Sequence, residues 1–139
     1  MVDISEKSST HRIAKATGKI TFSNDLSISQ IKSNNNKKGD VLSTSRIASI
    51  MSVKNTSSII PLCHPINITK ISTNFQIIES KNEIQCDCIV ECFGKTGVEM
   101  EAMVGVSCGL LTLYDMCKAV DKNMIISDVK VVEKKGGKS

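Results

Sequence analysis

One uninterrupted stretch, residues 95–122 (KTGVEMEAMVGVSCGLLTLYDMCKAVDK), constrains this chain more than any other. After the small-residue turn Lys95-Thr96-Gly97 it runs for more than twenty residues without a proline, and its apolar residues return at helical spacing. Val98, Ala102, Val106, Leu110, Leu113 and Cys117 form one stripe, which Met103, Leu111 and Tyr114 widen. A helix of that length spans roughly 30 Å, about the width of a small domain, so the rest of the chain has to be built against it. Its charges gather at the two ends. Glu99 and Glu101 fall in the first turn, where the helix dipole favours anions, and Asp115 and Lys118 stand three apart near the far end. Spacing alone favours a plain interpretation of both: acids at a positive helix end, and an (i, i+3) ion pair on a solvated face.

A chain of 139 residues, 40% of them hydrophobic, suits a single domain, 1–139, with flexible ends at 1–10 and 134–139. No apolar run suggests a membrane span and the opening MVDISEKSST does not resemble a secretory leader, which predicts a cytoplasmic protein. The net charge of +4 is mild. Lys37-Lys38 and Lys130, Lys134, Lys135 and Lys138 form small basic groups, suited to solvated loops or to phosphate. The six cysteines include no C-x-x-C pair, so free buried thiols are expected and no metal site.

Alternation of Arg12, Ala14 and Ala16 with Ile13 and Lys15 predicts a first strand over 11–22. Asn24-Asp25 can cap a short helix through 31, and 33–40 reads as a flexible polar loop ending in Asp40 as an N-cap. The next helix has Val41, Ile47, Ile50 and Met51 as its apolar side and stops near 55–58. Residues 59–65, IIPLCHP, then break all periodicity. The only two prolines of the chain bracket His64 and hold it in extended backbone. A lone histidine in apolar surroundings is most often structural; the stiffening around this one tilts it towards function. Strands follow at 66–78 and 83–93, joined through Ser80-Lys81-Asn82, and the second points Ile84, Cys86, Cys88, Val90 and Cys92 inward. A last strand covers 124–133.

Strand, helix in two pieces, strand, strand, helix, strand is the α+β, ferredoxin-like split β-α-β arrangement, an antiparallel sheet with helices packed on one face. Its RNA-binding versions stack bases on aromatic residues of the central strands. The 3% aromatic content and the lack of tryptophan argue against nucleic acid. A small-molecule-binding module without chemistry stays open on the fold alone.

Particular motifs narrow the choice. Lys38-Gly39-Asp40-Val41, Ile60-Pro61-Leu62-Cys63-His64-Pro65, Gly94-Lys95-Thr96-Gly97-Val98-Glu99-Met100-Glu101-Ala102, Leu113-Tyr114-Asp115-Met116-Cys117-Lys118-Ala119-Val120 and Gly136-Gly137-Lys138-Ser139 occur in this order. Together they resemble the molybdenum cofactor biosynthesis protein C family, from Met1-Val2-Asp3 to the end of the chain. The resemblance implies a cyclic pyranopterin monophosphate synthase. Its substrate, 3′,8-cyclo-7,8-dihydro-GTP, is supplied by a radical-SAM enzyme and rearranged to cyclic pyranopterin monophosphate with release of pyrophosphate, without a cofactor or metal. It implies Asp115 and Lys118 as the catalytic pair, and Leu62, Cys63 and His64 as a substrate-contacting loop. Glu99, Met100 and Glu101 follow as a second contact, and Lys38, Lys134 and Lys138 as holders of the triphosphate. It also implies a homo-oligomer, a hexamer built as a trimer of dimers.

Two physical arguments bear on these positions. A lysine exchanges protons at neutral pH only when burial lowers its pKa, and a carboxylate one turn away orients it. Glu101 and Asp115 lie about 21 Å apart along one helix axis yet only about 40° apart around it. One nucleotide's reactive end does not reach both within a chain unless the substrate lies along the helix, whereas a two-fold pair of helices would bring them together.

Overall fold

Alternation writes the sheet and 3.6-residue spacing writes the helices. The computed structural model describes residues 1–137. In chain order the elements are β1 (Thr10–Thr21), α1 (Leu26–Ser33), α2 (Val41–Lys54), α3 (Thr56–Ile59), β2 (Ile68–Ile78), β3 (Glu83–Gly94), α4 (Glu99–Cys117) and β4 (Ile125–Lys135). The sheet order is β2-β3-β1-β4 and every neighbouring pair is antiparallel. β3 therefore lies between β1 and β2, and β1 between β3 and β4. Two β-α-β units interleave, which is the ferredoxin-like fold.

The inward stripe of α4 is buried as its spacing predicts: Ala102, Val106, Leu110 and Leu113 have no exposure. Each such leucine contributes about 1.5–3 kcal/mol through burial. The sheet presents Ala14, Ala16, Ile84, Cys86, Cys88, Val90 and Cys92, all at 0% exposure. The helix packs closely over Gly18 of β1, where an added Cβ would stand 2.8 Å from Val106 Cγ1 and 2.9 Å from Leu110 Cδ1. Any larger residue there would lift α4 off the sheet. Among the described residues α4 alone is long and apolar enough to cross a membrane by length and composition. This corrects the expectation that no run suggests a span; here the sheet covers the apolar stripe instead.

α2 differs from its expected orientation. Ile47 and Met51 are 57% and 58% exposed, and the buried side consists of Val41, Ser45, Ser49, Ser52 and Val53. The cause lies in α4, whose Gly105 and Gly109 open a groove that only small residues enter. Ser49 Oγ shares a hydrogen bond with Thr73 Oγ1 at 2.8 Å, and Ser52 Oγ donates to the Ser49 carbonyl at 2.7 Å. Serine is therefore tolerated inside, while the Ile/Met stripe faces outward.

Element ends also shift. α4 starts at Glu99 and stops at Cys117, well inside 95–122, because the Val120 and Asp121 amides both turn back to the Cys117 carbonyl. β4 continues through Lys134 and Lys135. Its chain then folds over β1 at Gly136 and Gly137, with φ of 88° and 68°. A Cβ at Gly136 would strike the His11 carbonyl, so this turn requires glycine.

Candidate active site

The expected site residues fall into two groups at opposite ends of α4. At its C-terminal end, Asp115 is held between two cations. Lys118 Nζ lies 2.9 Å from Oδ1 and Lys38 Nζ 3.1 Å from Oδ2. Lys38 also donates to the Asp115 carbonyl at 3.2 Å. Hydrogen bonds from Lys118 and then Lys38 hold the Asp115 carboxyl below its ordinary range. The loop bearing Lys38 was expected to be free and polar, but it is tied down. Asn36 Nδ2 donates to the Met116 carbonyl at 2.8 Å, and Asn36 Oδ1 accepts from the Lys38 amide at 2.8 Å. Asp40 then caps α2 as expected, accepting from the Ser43 amide at 2.9 Å. Lys38, Asp115 and Lys118 border a cavity of about 370 Å³.

At the N-terminal end, Leu62, Cys63, His64, Glu99, Met100 and Glu101 line a cavity of about 290 Å³. Glu101 is 4% exposed, and burial pushes its carboxyl pKa up, with Glu99 adding to the effect. Burial likewise raises the Cys63 thiol, helped by Glu101. Lys134 joins this group. Its Nζ is 3.2 Å from Glu99 Oε1, within ion-pair range but off the hydrogen-bonding direction. Lys38 and Lys134 thus stand at different ends of the helix, and Lys138 lies outside the described residues.

Two carboxyl groups at one end and a carboxylate flanked by ammonium groups at the other make an acid–base set. Among the described residues no group of His, Cys, Asp and Glu is arranged to hold a metal ion. Residues 1–137 match the model of the MoaC family along almost the whole chain.

The chain belongs to the MoaC family.

It is similar to the cyclic pyranopterin monophosphate synthase of Clostridium perfringens (strain SM101 / Type A). They are 54% identical over 139 residues, 100% of this chain and 87% of the relative. The protein of the same name from strain 13 / Type A is similar to the same extent.

Two participants escaped sequence reasoning about this MoaC-family chain. Val2, Ile4 and Lys7 also line the N-terminal cavity, and the Val2 carbonyl accepts from His64 Nε2 at 2.7 Å. Residues this far apart carry no periodic signal; only the reach of the resemblance to Met1-Val2-Asp3 pointed there. Arg12, which alternates along β1 with Ala14 and Ala16, is 3% exposed and donates through Nε to the Gly94 carbonyl at 2.9 Å. Its Nη1 has no partner among the described residues, and Gly137 lies against the guanidinium. A buried arginine in an alternating strand was the available signal, since arginine is almost never buried unpaired.

Proposed function

We propose that this chain, acting as one domain over 1–139, is a cyclic pyranopterin monophosphate synthase of molybdenum cofactor biosynthesis. It is a lyase that takes 3′,8-cyclo-7,8-dihydro-GTP to cyclic pyranopterin monophosphate and pyrophosphate. The observation that carries this reading is Asp115 clamped between Lys38 and Lys118 beside a cavity, in a chain of this family along its length. Asp115, its carboxyl held below the ordinary range by Lys118 and Lys38, orients both ammonium groups. At the other end of α4, Leu62, Cys63, His64, Met100 and Glu101 receive the substrate ring. His64 gives Nε2–H to Val2, which leaves Nδ1 of the neutral ring as an acceptor. Glu101, raised towards neutrality by burial, either exchanges a proton or, ionised, accepts from the guanidine-like edge of the pterin. Glu99 pairs with Lys134, and Lys38, Lys134 and Lys138 serve the triphosphate.

The Lys118 side chain is 58% exposed in the single chain, so the desolvation that would make it a base has to come from substrate or a second subunit. That requirement, with the two half-sites set about 21 Å apart on α4, supports sites shared between subunits of a homo-oligomer, a hexamer built as a trimer of dimers. The six cysteines are all free thiols, which suits the reducing cytoplasm where the radical-SAM partner would supply the substrate. The test is direct: incubate the purified protein with the cyclised nucleotide and assay pyrophosphate and pyranopterin. Stoichiometric release of both is expected, and binding without turnover would replace the enzyme by a binding module.

A further inference from the structure

The cavity at the C-terminal end of α4 is lined by Lys38, Tyr114, Asp115, Lys118, Ala119 and Lys122. Three lysines and one carboxylate line it, and that carboxylate already gives one oxygen to Lys118 and the other to Lys38. Lys122 makes no ion pair among the described residues. Yet its backbone is not a loose end. Val120 N and Asp121 N both donate to the Cys117 carbonyl at 3.1 Å, and Asn24 Nδ2 donates to the Val120 carbonyl at 3.0 Å. Asp121, 2% exposed, accepts from Ser23 N at 2.7 Å, Ser23 Oγ at 2.6 Å and Asn123 N at 2.9 Å. Val120 and Asp121, before Lys122, are therefore fastened to the loop between β1 and α1, and Asn123 after it to Asp121, while the exposed Lys122 side chain lines the cavity.

A single lysine after a helix needs no anion, because the helix dipole already favours a cation there. What points to a ligand is its being the third cation around one concave surface whose only carboxylate is doubly engaged. A fixed backbone also lowers the ordering cost of closing on an anion. We propose that Lys122 is a further substrate-binding residue, contacting the terminal phosphates of the nucleotide and then the pyrophosphate they become. This rests on the reading of the chain as a synthase that releases pyrophosphate, and it names a phosphate contact which that reading lacks.

The experiment uses the full-length assembled protein and inorganic pyrophosphate, titrated calorimetrically at low salt, where phosphate contacts are least screened. Lys122→Gln is expected to bind pyrophosphate roughly tenfold or more weakly than the unmodified protein, as loss of a charge-assisted contact implies. Lys122→Arg is expected to stay within about threefold, since the charge is kept. Lys130→Gln, an exposed β4 lysine that does not line the cavity, should leave the affinity unchanged. With the cyclised nucleotide, Lys122→Gln should raise KM more than it lowers kcat. Unchanged pyrophosphate affinity in Lys122→Gln, an equal loss in both Lys122 variants, or no pyrophosphate binding by the unmodified protein would overturn the assignment. Failure of the synthase reading shows up separately, as absent turnover by the unmodified protein whatever the pyrophosphate affinities are.

Discussion

Two glycines one turn apart on α4 should respond to the same substitution with opposite signs. Replacing glycine by alanine inside a helix gains about 0.8–1.0 kcal/mol from backbone propensity alone. At Gly109 the new Cβ would meet Cys86 Sγ at 3.3 Å, then Ser49 Cβ at 3.6 Å and Phe75 Cζ at 3.7 Å. Those distances need only a small adjustment, so Gly109→Ala should be stabilising by about 0.5 kcal/mol or slightly more. At Gly105 the Cβ would sit 2.6 Å from Cys88 Sγ and 2.8 Å from Val53 Cγ2, with the strand behind one and α2 behind the other. Overpacking of this kind costs about 1–3 kcal/mol, and two simultaneous clashes place it in the upper half of that range. After the propensity gain, Gly105→Ala should lose about 1–2 kcal/mol, or roughly 4–8 °C in Tm for a domain of this size. Urea denaturation followed by far-ultraviolet circular dichroism measures both, at one fixed protomer concentration because association adds to apparent stability. Cys88→Ala combined with Gly105→Ala should recover part of the loss, since one clash is then gone. A Gly105→Ala midpoint at or above that of the unmodified protein would refute the close seating of α4 on Cys88 and Val53.

Other perturbations test the site. Lys118→Ala should abolish turnover while changing stability by under about 0.5 kcal/mol, as befits an exposed side chain; an unfolded variant, or one with near-full activity, would make Lys118 structural. Burial alone would raise the Asp121 carboxyl, but hydrogen bonds from Ser23, Asn123 and Asn24 outweigh it and hold the group below its ordinary value of 3.8. A depressed folded pKa gives stability that is present above the unfolded pKa and lost as pH falls through the folded one. Asp121→Asn should therefore cost about 1–3 kcal/mol at pH 6 and markedly less near pH 3, read from urea midpoints; an equal gap at both pH values would exclude the carboxylate as the cause. Mixing inactive Glu101→Ala and Lys118→Ala proteins under conditions of subunit exchange should restore part of the activity, because some shared sites then carry neither change. No recovery despite demonstrated exchange would rule out shared sites, and a monomer by light scattering would rule out the oligomer.

The elements with an unbroken period were legible before any coordinates. The α4 stripe from Val98 to Cys117 and the β3 set from Ile84 to Cys92 are buried as their spacing requires, and they dictate a sheet covered on one face, although Leu111, expected to widen the stripe, is 58% exposed. α2 was misread because hydrophobicity is a poor guide where two helices nearly touch. Room for a side chain, set by Gly105 and Gly109, decides the buried face there, and serine fits that room better than isoleucine. The grouping of the candidate site residues was only partly legible. The Asp115–Lys118 pair follows from spacing, but Lys38 reaches Asp115 across 77 positions, and the chemistry of these residues came from family motifs rather than from any period. That Lys134 would stand with Glu99 instead of Lys38 depends on β4 continuing past its last apolar residue, which no composition rule anticipates.

The inward row of cysteines on β3 makes the molecule a gauge of its own opening. Only a thiolate attacks an alkylating reagent, and burial pushes Cys86 up to about 12 and raises Cys88 as well. Both, with Cys92, have zero exposure beneath α4. Cys63, in the loop beside His64, is only partly covered. A maleimide added to the native protein should therefore mark Cys63 before any β3 thiol, at a pace slowed by the raised Cys63 thiol pKa. The β3 thiols should wait until the helical layer parts from the sheet, so their labelling times the rare excursions of the whole fold.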